Sequence, residues 1–123
     1  MPNANPDFEA AFAGLRPLLA RHAGRLLVVH DRPGDYYLNT ARLGPTKKPM
    51  FFGAVKIGKS CVSYHLMPVY AYPELLAGAP ASLLGCMQGK SCFNFTSPGM
   101  IDVTALGKLT DAGLARFRKD GLA

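Results

Sequence analysis

Met50-Phe51-Phe52-Gly53-Ala54-Val55-Lys56-Ile57-Gly58-Lys59-Ser60-Cys61-Val62-Ser63-Tyr64-His65-Leu66-Met67 is the stretch on which the fold turns. Its halves, Met50 to Ile57 and Ser60 to Met67, are rich in β-branched and aromatic residues. Between them lies Gly58-Lys59, a pair suited to a two-residue turn with glycine first. The stretch therefore reads as a β-hairpin. In that register one face carries Phe51, Gly53, Val55 and Ile57 with Ser60, Val62, Tyr64 and Leu66, an apolar set suited to a core. The other carries Phe52, Ala54 and Lys56 with Cys61, Ser63 and His65, a mixed set. Lys56 and His65 are thus expected on the side opposite Val55 and Tyr64.

Gly53 to Ser60 also matches the spelling of a phosphate-binding loop, with glycine, four residues, then Gly58-Lys59-Ser60. Such a loop needs a helix directly after it, so that free backbone amides face the phosphates. Here Val55 and Ile57 are strand formers, and Cys61 to Leu66 continues as a strand. The hairpin is the better reading. Gly89-Lys90-Ser91 repeats the tripeptide without the upstream glycine, and it too enters a strand.

On the N-terminal side, Phe8, Phe12, Leu15 and Leu19 form a helical stripe over residues 6–23, which Pro17 interrupts, with a kink or restart expected near Arg16. Leu27 to His30 reads as a strand, Asp31-Arg32-Pro33-Gly34 as a turn and Asp35 to Thr40 as a second strand. Leu43 to Pro49 is a loop by composition. Beyond the hairpin, Pro73 to Gln88 is expected to be helical in two pieces, with Pro73 and Pro80 at first helical positions. Ser91 to Thr96 alternates as a fifth strand, with Phe93 and Phe95 inward and Cys92 and Asn94 outward. Residues 102–120 form a last helix, in which Thr110 is a candidate cap for a second segment. The fold class expected is α+β: one domain over residues 1–123, a single curved antiparallel sheet of about five strands, helices on one face.

The chain has 123 residues, of which 49% are hydrophobic, with seven phenylalanines and five tyrosines. That suits one core and argues against disorder. No apolar run is long enough to span a bilayer, and the N-terminus lacks the basic start and apolar segment of an export signal. The three cysteines, Cys61, Cys86 and Cys92, are odd in number, and free thiols in a reducing cytoplasm follow. Net charge is +6, from 14 lysines and arginines against 8 acids. This favours anionic partners, nucleic acid included. The densest groups, Lys47-Lys48 and Arg116-Arg118-Lys119, are short, however, and the second lies at a helix end where cations suit the dipole.

No cofactor motif or catalytic set stands out. Cys61 and His65 lie about 13 Å apart along one strand and cannot share an ion. Ser63 and His65 are about 7 Å apart, too far for a nucleophile and its base. Asp31 and Asp35 flank a turn, and Asp7 and Glu9 open a helix. One constellation remains: Tyr37, Asn39, Phe52, Lys56, Ser63, His65, Cys92 and Asn94 on the second sheet face. A cation, an imidazole, amides and aromatics with few acids suit a small ligand, an anion among the candidates, or a protein partner.

Tyr36-Tyr37-Leu38-Asn39, Lys48 to Gly53, Val62 to Pro68 and Gln88 to Phe95 resemble the bacterial YdhG-like family of domains of unknown function. The likeness runs from about residue 7 to the C-terminal helix. It implies a small α+β domain with one curved antiparallel sheet. One branch of that family is a frataxin-like iron chaperone that uses an acidic surface. This chain is basic and its eight acids form no ridge, so no iron ligand carries over. The sequence thus points to a non-enzymatic cytoplasmic domain that binds a small molecule or a protein. A metal chaperone and a nucleic-acid binder are the alternatives.

Overall fold

The computed structural model describes residues 6–40 and 50–121. The loop expected at Leu43 to Pro49, the Lys47-Lys48 pair and the N-terminal Met1 to Asn5 lie outside the described residues. Six strands form one antiparallel sheet: β1 (Leu26–Arg32), β2 (Asp35–Thr40), β3 (Phe51–Ile57), β4 (Val62–Leu66), β5 (Met87–Gln88) and β6 (Cys92–Phe95). Their order is β1-β2-β3-β4-β6-β5. Two long helices, α1 (Pro6–Ala20) and α4 (Val103–Lys119), flank the chain, with short helices α2 (Met67–Ala71) and α3 (Ala81–Leu84) between. The α+β class is as the sequence implies. The sixth strand is an addition: Gln88 pairs with Cys92 and Met87 with Phe93, where helix was expected.

Residues 73–88 depart furthest from expectation. Pro73, Gly78, Pro80 and Gly85 cut this segment into a 3-10 turn (Pro73–Gly78) and the four-residue α3. Prolines and glycines this closely spaced interrupt the backbone hydrogen bonds that a longer helix needs. By contrast α1 runs through Pro17 as a single element. Helix α4 is also undivided. It is capped by Asp102, whose carboxylate accepts from the Ala105 amide at 3.0 Å, and its last turn carries Arg116, Arg118 and Lys119.

Both long helices cover the same sheet face. Tyr36, Leu38, Val55, Val62, Tyr64, Leu66, Phe93 and Phe95 point into one core with Leu15, Leu19, Leu106, Leu114 and Phe117. Thr110 is no cap. It is buried, donates to the Leu106 carbonyl at 2.8 Å and accepts from the Tyr64 hydroxyl at 2.7 Å. Burial in this core drives the Tyr64 phenol upward, well past the ordinary tyrosine range, so it stays a neutral donor. Gly53, the first glycine of the phosphate-loop spelling, serves packing. A Cβ there would sit 2.9 Å from Leu19 of α1 and 3.0 Å from the His65 carbonyl oxygen. Only glycine lets α1 approach β3 this closely.

The hairpin is present, displaced by one residue. Gly58 donates its amide to the Cys61 carbonyl at 2.8 Å, so Lys59-Ser60 forms the turn. Moving the turn by one residue moves every cross-strand partner by two. Ala54 faces His65, Val55 faces Tyr64 and Lys56 faces Ser63. A slip of two preserves which side each residue occupies, so Lys56 and His65 do share the face opposite Val55 and Tyr64.

Two bulges break the alternation. Between β2 and β3, Leu38 pairs with Gly53 and Asn39 with Phe51, which leaves Phe52 as an extra residue. Phe52 consequently turns into the core, fully buried, and meets Phe117 edge-on with ring centroids 6.0 Å apart. Its expected place on the outer face passes to Phe51. Between β1 and β2, Val28 pairs with Leu38 and His30 with Tyr37, and Val29 is the extra residue. A regular ladder with no bulge would instead set Val29 opposite Tyr37 and turn His30 toward the helix side. In β1, the edge strand, Leu27, Val28 and Val29 remain exposed.

Two measurements follow from this packing. Phe52→Ala should cost about 3–5 kcal/mol in denaturant unfolding, as for a core aromatic, and Phe51→Ala markedly less. The reverse order would mean that the bulge is misplaced. At the junction of α1 and α4, Asp111 accepts from Arg21 and His22, both at 2.7 Å. Burial raises its pKa, but these two hydrogen bonds and charges prevail and leave it lowered. A carboxyl depressed on folding stabilises above its unfolded pKa, and the gain disappears as pH falls through the folded value. Asp111→Asn should therefore lower stability at neutral pH by no more than about 1 kcal/mol, since the group is half exposed. Once the pH has fallen below the folded value the variant should match the parent; an equal deficit in acid and at neutral pH would rule out an electrostatic clamp.

Candidate functional site

The helices leave the opposite sheet face without any described helix upon it, and side chains there fall into cross-strand rows. The central row runs His30, Tyr37, Ala54, His65 and Cys92, one residue from each of five strands. Beside it runs Arg32, Asp35, Lys56, Ser63 and Asn94. On the other side Phe51 lies opposite Asn39, which in turn faces Leu27. Ala54 is the smallest side chain in the central row. Around it a depression of about 330 Å³ opens, lined by His30, Asp35, Tyr37, Phe51, Ala54, Lys56 and His65. That volume lies at the lower end for small-molecule pockets.

Aromatic rings make one wall. The Tyr37 ring is tilted against Phe51 at a centroid distance of 4.9 Å and against His30 at 5.5 Å. Such tilted contacts add stability beyond burial and hold each ring in place. Charges are distributed unequally. The Asp35 carboxylate accepts from Arg32 at 2.9 Å and lies 3.4 Å from the His30 Nδ1. Lys56 makes no ion pair among the described residues. The depression therefore presents a neutralised acid and an unengaged ammonium.

His65 forms the far wall. Burial against the sheet lowers its pKa from the usual imidazole value, so the ring is neutral at pH 7. Its Nε2 lies 3.8 Å from the Cys92 sulfur. Spacing along single strands does not reveal this nucleophile–base juxtaposition, because the partners are cross-strand neighbours in β4 and β6. The pairing of Val62 to His65 with Cys92 to Phe95 is the signal that would have found it. Its chemistry is quiet. Burial pushes the Cys92 thiol up, the hydrogen bond with Ser63 lowers it and nearby Cys61 raises it, with a net rise. A protonated thiol beside a neutral imidazole is a weak nucleophile.

The eight residues singled out in the sequence divide into four groups. Tyr37, Lys56 and His65 line the depression. Ser63, Cys92 and Asn94 form a self-contained patch beside it: Ser63 donates to the Asn94 Oδ1 at 3.0 Å, and Cys92 donates to the same oxygen at 3.3 Å. Asn39 sits at the rim near Phe51, with its Oδ1 enclosed and without a hydrogen-bond partner. Phe52 belongs to the core, for the bulge reason given above. His30 and Phe51 are the lining residues that strict alternation misplaces, whereas Asp35 and Ala54 lie on the face that alternation assigns them and complete the lining. Among the described residues no three His, Cys, Asp or Glu side chains converge as a metal cage.

A second hollow, of about 380 Å³, lies between the 3-10 turn and α4, lined by Leu75, Ala79, Pro80, Ala105 and Lys108 among others. Its acid, Asp102, is occupied as the α4 cap. It lacks the convergence of rings and charge that distinguishes the sheet-face depression.

Proton NMR of the imidazole rings should show His65 titrating below about 6.5, the free value. Because the folded state then binds a proton less readily than the unfolded chain, stability should decline as pH falls through that range. A midpoint at or above the free value would mean that the ring is solvated rather than walled in. No family model matches the chain, and neither the curated proteins nor the solved structures contain a match.

Proposed function

We propose that this chain is a non-enzymatic, cytoplasmic binding domain whose open sheet face takes a small anionic ligand. The carrying observation is the depression over Ala54, in which Lys56 is the unengaged charge beside a wall of aromatic rings. A cation that has no partner and borders apolar surface favours an anion, because the pair gains strength where water is partly excluded. The neutral Cys92–His65 pair supports binding rather than covalent catalysis. The cysteines, half-buried and unpaired, suit a reducing compartment, and no described helix is long and apolar enough to cross a membrane.

The alternatives have less support. A protein partner prefers a broader surface than a pit of this volume. A nucleic-acid reading needs free cations in a stripe. In the basic end of α4, Arg116 is already paired with Glu74 at 3.2 Å and stacked on Tyr72 at 4.0 Å. Iron handling would need converging oxygen or nitrogen ligands, a grouping absent among the described residues. Kinship with the YdhG-like family is a proposal about ancestry and fold, and it assigns no residue of this site.

The test is a thermal-shift screen of the purified protein against small carboxylates and phosphorylated metabolites, at low and high salt. A ligand that prefers the folded state raises the melting temperature by mass action. A binder held by Lys56 should survive added salt, unlike a polyanion held by many charges. Lys56→Ala should weaken it by about tenfold or more, equivalent to about 1.4 kcal/mol. No shift with any anion, or equal shifts in the variant, would overturn the assignment.

A further inference from the structure

From the arrangement around Ala54 we infer that the ligand is a planar aromatic acid: a flat ring held between Tyr37 and His65, with its anionic group on Lys56. This rests on the small-anion reading and adds the shape of the molecule. Tyr37, Ala54 and His65 are consecutive in one cross-strand row. Tyr37 and His65 therefore stand on strands two steps apart, about 9–10 Å at the usual strand spacing. The residue between them is reduced to a methyl group. A ring standing on that methyl would lie about 5 Å from the strand line on either side, the separation at which aromatic rings pair.

The neighbouring positions define the other two sides. Phe51 closes one end against Tyr37, with ring centroids 4.9 Å apart. Lys56 lies two residues from Ala54 on the same strand, about 7 Å away, within reach of a lysine side chain toward a substituent on the bound ring. Asp35 faces Lys56 across the strands, but its carboxylate is held by Arg32 and so leaves the ammonium available. The walls on both sides of Ala54 are flat π-systems, whereas aliphatic walls would suit a branched or saturated acid equally well. A flat ligand gains contact with both walls at once, and a puckered ring of equal charge loses it.

The experiment compares three carboxylates on the whole chain: benzoate, 2-naphthoate and cyclohexanecarboxylate. The first and third have the same charge and nearly the same size and differ in planarity. Affinity and ring-current shifts are read by NMR titration. The two flat acids should bind about tenfold more tightly than the saturated one, the equivalent of two aromatic contacts. They should also move the Ala54 methyl resonance downfield, because that methyl meets the edge of a ring whose two faces are turned to Tyr37 and His65. Ala54→Leu, which fills the slot from the exposed side of the sheet, should remove aromatic binding, and its melting temperature reports whether the fold is kept. Ala54→Val serves as the smaller replacement if the leucine variant unfolds. Equal affinity for flat and saturated acids, both dependent on Lys56, would overturn the slot while leaving the anion site standing. Failure of all three, with other anions still binding at Lys56, would also sink the aromatic assignment. Failure of every anion would remove the site itself.

Discussion

Everything on the outer face depends on a single extra residue in each of two strands. A pleated strand sends successive side chains to opposite faces, and the rule is rigid until the ladder is interrupted. Val29 and Phe52 are the interruptions. Each moves an adjacent ring to the outer surface, His30 just after Val29 and Phe51 just before Phe52, and they arrive on either side of Tyr37. The aromatic wall is thus assembled by displacement. Regular alternation would have placed His30 under the helices and Phe52 over the depression. The core gains from the same displacement, since Phe52 then meets Phe117 of α4.

This explains which features were legible in the sequence. The α+β class, the helical termini and the two faces of the β3–β4 hairpin from Gly53 to Leu66 follow from periodicity, which is a local property. The hairpin faces were legible even though the turn lies one residue further on, because a shift of two partners keeps parity. Phe93 and Phe95 were placed correctly because β6 is regular. Bulges have no comparable signature. Val28-Val29 and Phe51-Phe52 are simply runs of strand formers, and nothing in them shows which member is surplus. The surplus residue is set by what the rest of the fold must bury, which is a global constraint. Residues 73–88 failed for a different reason: the prolines were read as helix starts, whereas their density shortened every helix they started.

The candidate site was half legible for the same reasons. Lys56 and His65 came from the regular hairpin, and Tyr37 from the alternation of β2. Ser63, Cys92 and Asn94 were also placed on the right face, but their hydrogen bonds are to one another, so shared orientation did not make them available. Ala54 was overlooked because a small residue advertises nothing in a sequence. Its importance comes from its neighbours: a methyl group between two rings makes a hollow, and the same methyl between two other small residues would make a flat surface.

The insertion at Val29 has a consequence beyond aiming His30. As an outermost strand, β1 carries three exposed aliphatic residues and has no strand on its outer edge among the described residues, the combination that recruits other chains into a continuous sheet. An extra residue there disturbs the even spacing of amide and carbonyl groups that an incoming strand must match. The bulge that builds the wall of the depression therefore also spoils the template on the edge. Straightening it, with the sequence unchanged, would even out the edge and at the same stroke turn His30 toward the helices, so solubility and recognition are tied to one irregularity.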